Sequence, residues 1–361
     1  MIPCQVANKA FGFCTHDSLG MRYRVVPTEF RVRYAGGCPS SPRPGILFVS
    51  QDTTMLPNAS TIASATPDSV TQTSITRLAG ALGAEVRGYN LARVTVGQVA
   101  DIQQLLLDHQ VLFFPGQTLT VEEHVAFGRQ FGELDGHPNL KNPYTQHPYL
   151  FELAATHGGV ADEWHTDLTF QKEPSILSVL KMVRCPPVGG DTMWTSLYAA
   201  YDELSAPMRD LCDGLSALHD AHPHNRPDNM AVHPVVRVHP LTGRRALYVN
   251  EHFTRRIVEM NATESDALLG YLTQWVANPR FTVRYRWTQG TIAIWDNRCT
   301  QHFVLNDFEG ERIIQRVTVK GDQPTGSPPR WAPWVRPGPL SAASRLDRQL
   351  HQFLTREAKA V

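Results

Sequence analysis

The sequence carries no excess of charge of either sign, since 34 Lys and Arg balance 34 Asp and Glu over 361 residues. Without a basic surplus there is no electrostatic footprint for nucleic acid, and without an acidic one no solvating tail. Any charged ligand must therefore be recognised locally. Long hydrophobic runs are missing too. The apolar patch Ile46-Leu47-Phe48-Val49 is far short of the ~20 residues a membrane helix needs, and no basic segment followed by an apolar one opens the chain. Cysteine is sparse: six residues at 4, 14, 38, 185, 212 and 299 form no C-x-x-C pair and lack the spacing of a disulfide scaffold or zinc knuckle. A soluble protein of a reducing cytoplasm is expected, with no membrane partner and no internal repeat.

What is present suffices for a large buried core, with 42% hydrophobic residues. Composition changes near residue 72. Residues 1–72 hold an Arg/Pro/Gly/Ser-rich run at 31–44 and a Ser/Thr/Ala stretch ending near Thr66, too little apolar surface to offset the entropy of ordering. They read as a disordered or loosely attached extension, with Met55 an in-frame alternative start. Residues 73–326 read as the folded domain, and 327–361 as a Pro/Trp-rich tail ending in a surface helix over 344–358.

Within the domain, Ile102, Leu105, Leu106 and Leu107 start an amphipathic helix, and 111–114 is a short buried strand stopped by Pro115-Gly116. Residues 121–131 read as a second helix, with Thr120 as N-cap and Glu123 completing a capping box. Further strands are expected at 176–182, 235–238, 246–249, 281–287, 291–295 and 312–319, all rich in β-branched and aromatic residues. Helices at 197–215, broken before Pro207, and at 264–277 would pack outside them. Short strands at this frequency predict a mainly β fold with flanking helices, a sandwich or jelly roll.

Three groups of residues carry chemistry. In Glu163-Trp164-His165-Thr166-Asp167 an imidazole and a carboxylate stand two positions apart, which on an extended backbone puts both on one face. Alone, this also describes a loop His hydrogen-bonded to a carboxylate. The segment from Trp295 to His302 follows an apolar strand and supplies a third ligand if the sheets fold over one another. Two His and one carboxylate leave open positions on an octahedral ion, the arrangement of non-haem Fe(II) oxygenases, whereas structural zinc is closed by four protein ligands. Finally, alternation along 312–319 turns Arg312, Ile314, Arg316 and Thr318 to one face. Two guanidinium groups on a buried face need anionic partners, and one could grip a dicarboxylate co-substrate bidentately. Pairing with Asp or Glu on an exposed strand is the plainer alternative. Arg312 and Arg316 would lie about 13 Å apart along an extended strand, too far to share one carboxylate.

His165-x-Asp167, the 295–302 segment and the Arg312/Arg316 strand together resemble the motifs of the taurine dioxygenase family of Fe(II)- and 2-oxoglutarate-dependent enzymes. The likeness runs from about Ile75 to Pro324 and takes in Gly190-Asp191-Thr192-Met193-Trp194 and Tyr248-Val249-Asn250-Glu251. It implies a double-stranded β-helix with iron held by His165, Asp167 and His302, and 2-oxoglutarate and O2 as co-substrates. By the same matching, Arg312 and Thr192 would take the far carboxylate of 2-oxoglutarate. Arg316, His137 and Phe253 would meet the primary substrate.

Two departures bear on that substrate. Ala161 and Leu140 stand where taurine enzymes carry Asn and Tyr, and the connection 221–232 is short beside their lid. The expected substrate is thus a small organic anion, larger or more apolar than taurine: an alkyl sulfate, another sulfonate or a carboxylate. A metal-dependent hydrolase or isomerase on a similar barrel would share the ligands but not need Arg312. A non-catalytic binding protein would not need the intact ligand set. The family's habit of forming dimers and tetramers leaves room for a homo-oligomer.

Overall fold

A computed structural model describes residues 73–136, 147–157 and 161–360. The expected N-terminal extension, His137 and Leu140 lie outside them. In chain order the strands are β1 (Ser74–Arg77), β2 (Ala84–Arg87), β3 (Val111–Phe114), β4 (Leu134–Asp135), β5 (Phe151–His157), β6 (Leu177–Arg184), β7 (Thr192–Ser196) and β8 (Ser216–Ala221). They continue as β9 (Arg226–Pro234), β10 (Val236–Val238), β11 (Arg245–Leu247), β12 (Thr254–Ile257), β13 (Thr282–Tyr285), β14 (Ile292–Asp296), β15 (Thr300–Val304) and β16 (Glu309–Val319). The helices are α1 (Val96–His109), α2 (Val121–Gly128), α3 (Leu197–Asp202), α4 (Ala206–Cys212), α5 (Ala262–Val276) and α6 (Arg345–Ala360).

Local signals account for the helix starts. Reciprocal capping boxes open α1 (Thr95 with Gln98), α2 (Thr120 with Glu123) and α5 (Asn261 with Glu264), each satisfying two backbone donors that helical bonding leaves over. The stretch 197–215, expected to break before Pro207, does form two helices, because Pro207 cannot continue α3 but fits the first turn of α4. Likewise 121–131 ends its α-helix at Gly128 and finishes as a 3-10 turn.

The strands form a jelly roll. One large sheet runs β1-β2-β3-β14-β6-β16-β4, with β5 on β16; a second has the order β13-β7-β15. Between them lies an aromatic core of Phe113, Trp194, Tyr285, Trp287 and Trp295, with Phe113 stacked on Tyr285 at 3.9 Å and Trp194 edge-on to Trp295 at 5.7 Å. Burying each such ring contributes roughly 1.5–3 kcal/mol. Helices α1 and α2 cover the outer face of the large sheet through Ile102, Leu106, Val125 and Phe127. A third sheet, β12-β8-β9, is covered by α6, whose Leu350 packs with Leu218 and Val258. The 221–232 connection is therefore mostly a strand, β9 paired with β8, and not an open loop. No helix among the described residues is long and apolar enough to cross a membrane.

Candidate metal and anion site

The site forms where the two sheets meet at one end of the roll. His302 is the middle residue of β15, paired with Trp194 of β7. His165 lies on no regular strand but exchanges both backbone hydrogen bonds with His302, its N–H donating at 3.1 Å and accepting through its carbonyl at 2.8 Å. That bridge sets the two imidazoles 4.0 Å apart, centroid to centroid.

Asp167 is not on an extended segment, as the two-residue spacing suggested, but in the turn that follows. Leu168 there adopts the left-handed region at φ 57°, which costs a non-glycine residue about 1–2 kcal/mol. Buried bonds around the next residue hold the turn: the Thr169 hydroxyl meets Asn250 Nδ2 at 3.2 Å and His219 Nδ1 at 3.0 Å, and its carbonyl meets His233 Nε2 at 2.8 Å. The large sheet then grips the Asp167 carboxylate, Ser178 Oγ donating to Oδ2 at 2.8 Å and Arg316 Nη1 to Oδ1 at 2.6 Å.

His165, Asp167 and His302 each offer a ligand atom within 4.8 Å of the others, and all three are buried. Their electrostatics suit a cation. Burial pushes His165 down to about 4 and His302 well below the imidazole range, so both are neutral. Burial alone would raise Asp167, but the Arg316 guanidinium beside it, with the Ser178 hydrogen bond, outweighs it and keeps the carboxylate ionised. His165 Nδ1 lies 2.8 Å from the Glu163 carbonyl, the bond that fixes the tautomer of a metal-ligating imidazole. Buried His302 Nδ1 has no hydrogen-bond partner among the described residues. Three ligands, with no fourth among the described residues, leave coordination positions open, so the residues present fit a catalytic metal of the Fe(II) kind.

A cavity of about 500 Å³ opens from the triad. Arg312, Ile314 and Arg316 line it together, in keeping with the alternation along β16. Arg312 is 3% exposed and has no ion pair among the described residues; burial pushes it down to about 10. Its Nε donates to the Gly190 carbonyl at 3.0 Å and its Nη2 to Thr192 Oγ1 at 3.2 Å. Gly189 and Gly190 turn that carbonyl inward at φ 76° and 68°, and a Cβ on Gly189 would sit 2.3 Å from the Asp307 carbonyl oxygen. Trp287 Nε1 also donates to Thr192 Oγ1, at 2.9 Å, so the hydroxyl proton of Thr192 is left for another acceptor. Arg316 has a second buried donor, Nε, with no partner among the described residues.

Phe253 lies in the same cavity, 2% exposed and edge-on to His165, and Ala161 lines it as well. Reading the sequence missed several lining residues. Phe151 and Leu153 come from β5, whose apolar-polar alternation was a usable signal; Pro223, His224 and His252 gave none. His252 Nδ1 donates to Glu163 Oε2 at 2.6 Å.

Residues 74–318 match the family described as taurine catabolism dioxygenase TauD, TfdA. The chain is 38% identical over 291 residues to an alpha-ketoglutarate-dependent sulfate ester dioxygenase of Pseudomonas putida, covering 74% of this chain and 96% of that one. It is 32% identical over 306 residues to an alkylsulfatase of Acinetobacter baylyi, covering 78% and 96%. Among solved structures, a taurine dioxygenase from Burkholderia xenovorans superposes with a TM-score of 0.66 at 40% identity, over 76% of this chain and 99% of that one.

Proposed function

The chain belongs to the TauD/TfdA family of 2-oxoglutarate-dependent dioxygenases, and from that premise we propose that it hydroxylates alkyl sulfates or related sulfonates at the carbon beside the anionic group. One observation carries this reading. One cavity beside the metal triad holds a buried and a partly buried guanidinium whose donors are not used up by carboxylates: among the described residues Arg312 has no ion pair and Arg316 Nε has no partner. The cavity thus offers two places for an anion, and the reaction brings two. The P. putida sulfate ester enzyme and the A. baylyi alkylsulfatase act on molecules of the proposed kind.

Fe(II), held by His165, Asp167 and His302, supplies with 2-oxoglutarate and O2 the oxidising power that converts C–H to C–OH, releasing succinate and CO2. The protein's own part is binding and exclusion. Arg312 and the Thr192 hydroxyl anchor the far carboxylate of 2-oxoglutarate and so fix the orientation of its other end. Arg316 takes the sulfate or sulfonate, and Phe253, Leu168 and Phe151 surround the apolar body and keep water out. Ala161 offers no polar partner to an ammonium group, which favours an alkyl chain over taurine. Hydroxylation of the ester-bearing carbon gives a product that loses sulfate and leaves an aldehyde.

The test is succinate release with Fe(II), O2 and 2-oxoglutarate against taurine, alkyl sulfates, alkyl sulfonates and aryloxyalkanoates. Medium-chain alkyl sulfates or sulfonates should exceed taurine in kcat/KM. Taurine outpacing every longer anion would remove the substrate assignment and leave the iron chemistry in place.

A further inference from the structure

The turn joining β8 to β9 reaches the cavity and has no role in the scheme above. His222, Pro223 and His224 make one 3-10 turn, closed by Asn225 at φ 56°, whose N–H donates to the His222 carbonyl at 2.9 Å. The turn is pinned at its base as well: the His222 N–H donates to Asp220 Oδ1 at 3.0 Å, and Arg255 Nε holds the same oxygen at 2.9 Å. His224 is half-buried and faces rings. It stands edge-on to Phe253 at 5.5 Å and 79° and to Phe170 at 5.6 Å and 87°, with His252 at 6.0 Å. Phe170 and Phe253 belong to a buried cluster with Leu168 and Ala221, so His224 extends the apolar side of the cavity. Burial, with His252 and Arg316 nearby, lowers its pKa and keeps the ring neutral.

The hairpin behind this turn is braced from its far side. Asp220 pairs with Met230 but Ala221 with Arg226, so β9 bulges just behind the turn. The bulge is held by α6: Gln349 donates to Asp228 at 3.2 Å, and Met230 and Val232 of β9 pack, with Leu346 and Leu354 of α6, against the cluster of Leu218, Val258 and Leu350. A wall anchored in this way sets a fixed limit on what fits beneath it.

We propose that His224 is a specificity-determining residue whose ring closes the apolar side of the cavity and limits the length of the substrate's alkyl chain. This rests on the cavity being the site of an anionic substrate with an apolar body. A hydrophobic pocket discriminates by about tenfold or more per methylene, so removing the wall should be visible in a chain-length series. The experiment measures kcat/KM from ethyl to dodecyl sulfate for the wild type, His224→Ala and His224→Phe, with calorimetric binding of hexyl and dodecyl sulfate under anaerobic conditions. His224→Ala should move the optimum to longer chains and raise the dodecyl-to-butyl ratio about tenfold. His224→Phe should keep the wild-type profile, and the KM for 2-oxoglutarate should not change in either. A His224→Ala profile that superimposes on the wild type overturns the proposal. If the wild type rejects all alkyl sulfates and sulfonates but accepts carboxylates, the sulfate reading fails on its own. The same variants on a series from acetate to dodecanoate then decide the role of His224 in the same way.

Discussion

Arg316 Nη1 donates to Asp167 Oδ1 at 2.6 Å, so the guanidinium assigned to the substrate's anion also grips a carboxylate of the metal triad. The pair is nearly out of solvent, with side chains 13% and 5% exposed. Arg316→Ala therefore removes two things, the anion contact and the charge that keeps Asp167 ionised. Truncating one partner of a buried charge pair costs about 2–5 kcal/mol, so the KM for the alkyl sulfate should rise by roughly 30-fold or more. The KM for 2-oxoglutarate should move far less. Steady-state kinetics with each substrate varied in turn measures both, and equal increases would show that Arg316 serves the metal alone.

The metal triad gives a sharper expectation. His165→Ala, Asp167→Ala and His302→Ala should each abolish Fe(II)-dependent turnover and weaken Mn(II) binding in calorimetry. The far-UV spectrum should stay that of the parent, because the bridge between residues 165 and 302 is made by backbone atoms. Full activity in any one of them would remove that residue from the site.

Arg312 should govern the co-substrate. Among the described residues it is a buried guanidinium without a carboxylate partner, and Arg312→Ala should weaken 2-oxoglutarate binding by roughly 2–5 kcal/mol. Arg312→Lys should recover only part, since an ammonium cannot reproduce the fork that reaches the Gly190 carbonyl and Thr192 together. Unaltered affinity for 2-oxoglutarate in the Ala variant would falsify the assignment.

Stability should fall in mild acid for a reason outside the site. Burial pushes both His124 and His233 from 6.5 down to about 4, so each is neutral in the fold and takes up a proton on unfolding below 6.5. The unfolded chain then binds more protons, and stability rises with pH. Their contribution is complete above pH 6.5 and is lost as pH falls toward 4, at about 1.4 kcal/mol per pH unit for each imidazole. Urea titrations between those limits should show at least this slope, since the buried His165, His219 and His302 add to it in the same direction, and His124→Gln should make it shallower by one proton.

Much of this was legible because local rules and the final fold agree. Thr120 and Glu123 announce α2 three residues apart, and the alternation of Arg312, Ile314 and Arg316 survives into the cavity even though β16 bulges against β6 at Ile313. Where the reading was incomplete, the deciding contact is distant in sequence. Residues 226–234 carry Pro, Asp and Asn, as a loop would, yet they form β9 because β8 and α6 hold them. Asp167 sits in a turn because Asn250 and His219 fix Thr169, and neither partner is near it in the chain.

Arg256 shows the same limit and yields the last prediction. The tetrapeptide of β12, Thr254-Arg255-Arg256-Ile257, gives no hint that Arg256 is 4% exposed. Its partner is Asp347, the third residue of α6, with Nη2 donating to Oδ1 at 2.7 Å. Asp347→Ala would strand a buried guanidinium whose Nε already lacks a partner, a loss of about 3 kcal/mol. A lowered Tm should follow, with the chain-length limit blurred because α6 braces the β8–β9 bulge. Replacing both residues separates charge from packing: Arg256→Met with Asp347→Leu removes the desolvation cost and keeps the apolar contacts of Leu350, so Tm should return to the parent value or above it. If the double variant is as unstable as Asp347→Ala, the ion pair is not what holds α6, and the bracing must come from elsewhere on that helix.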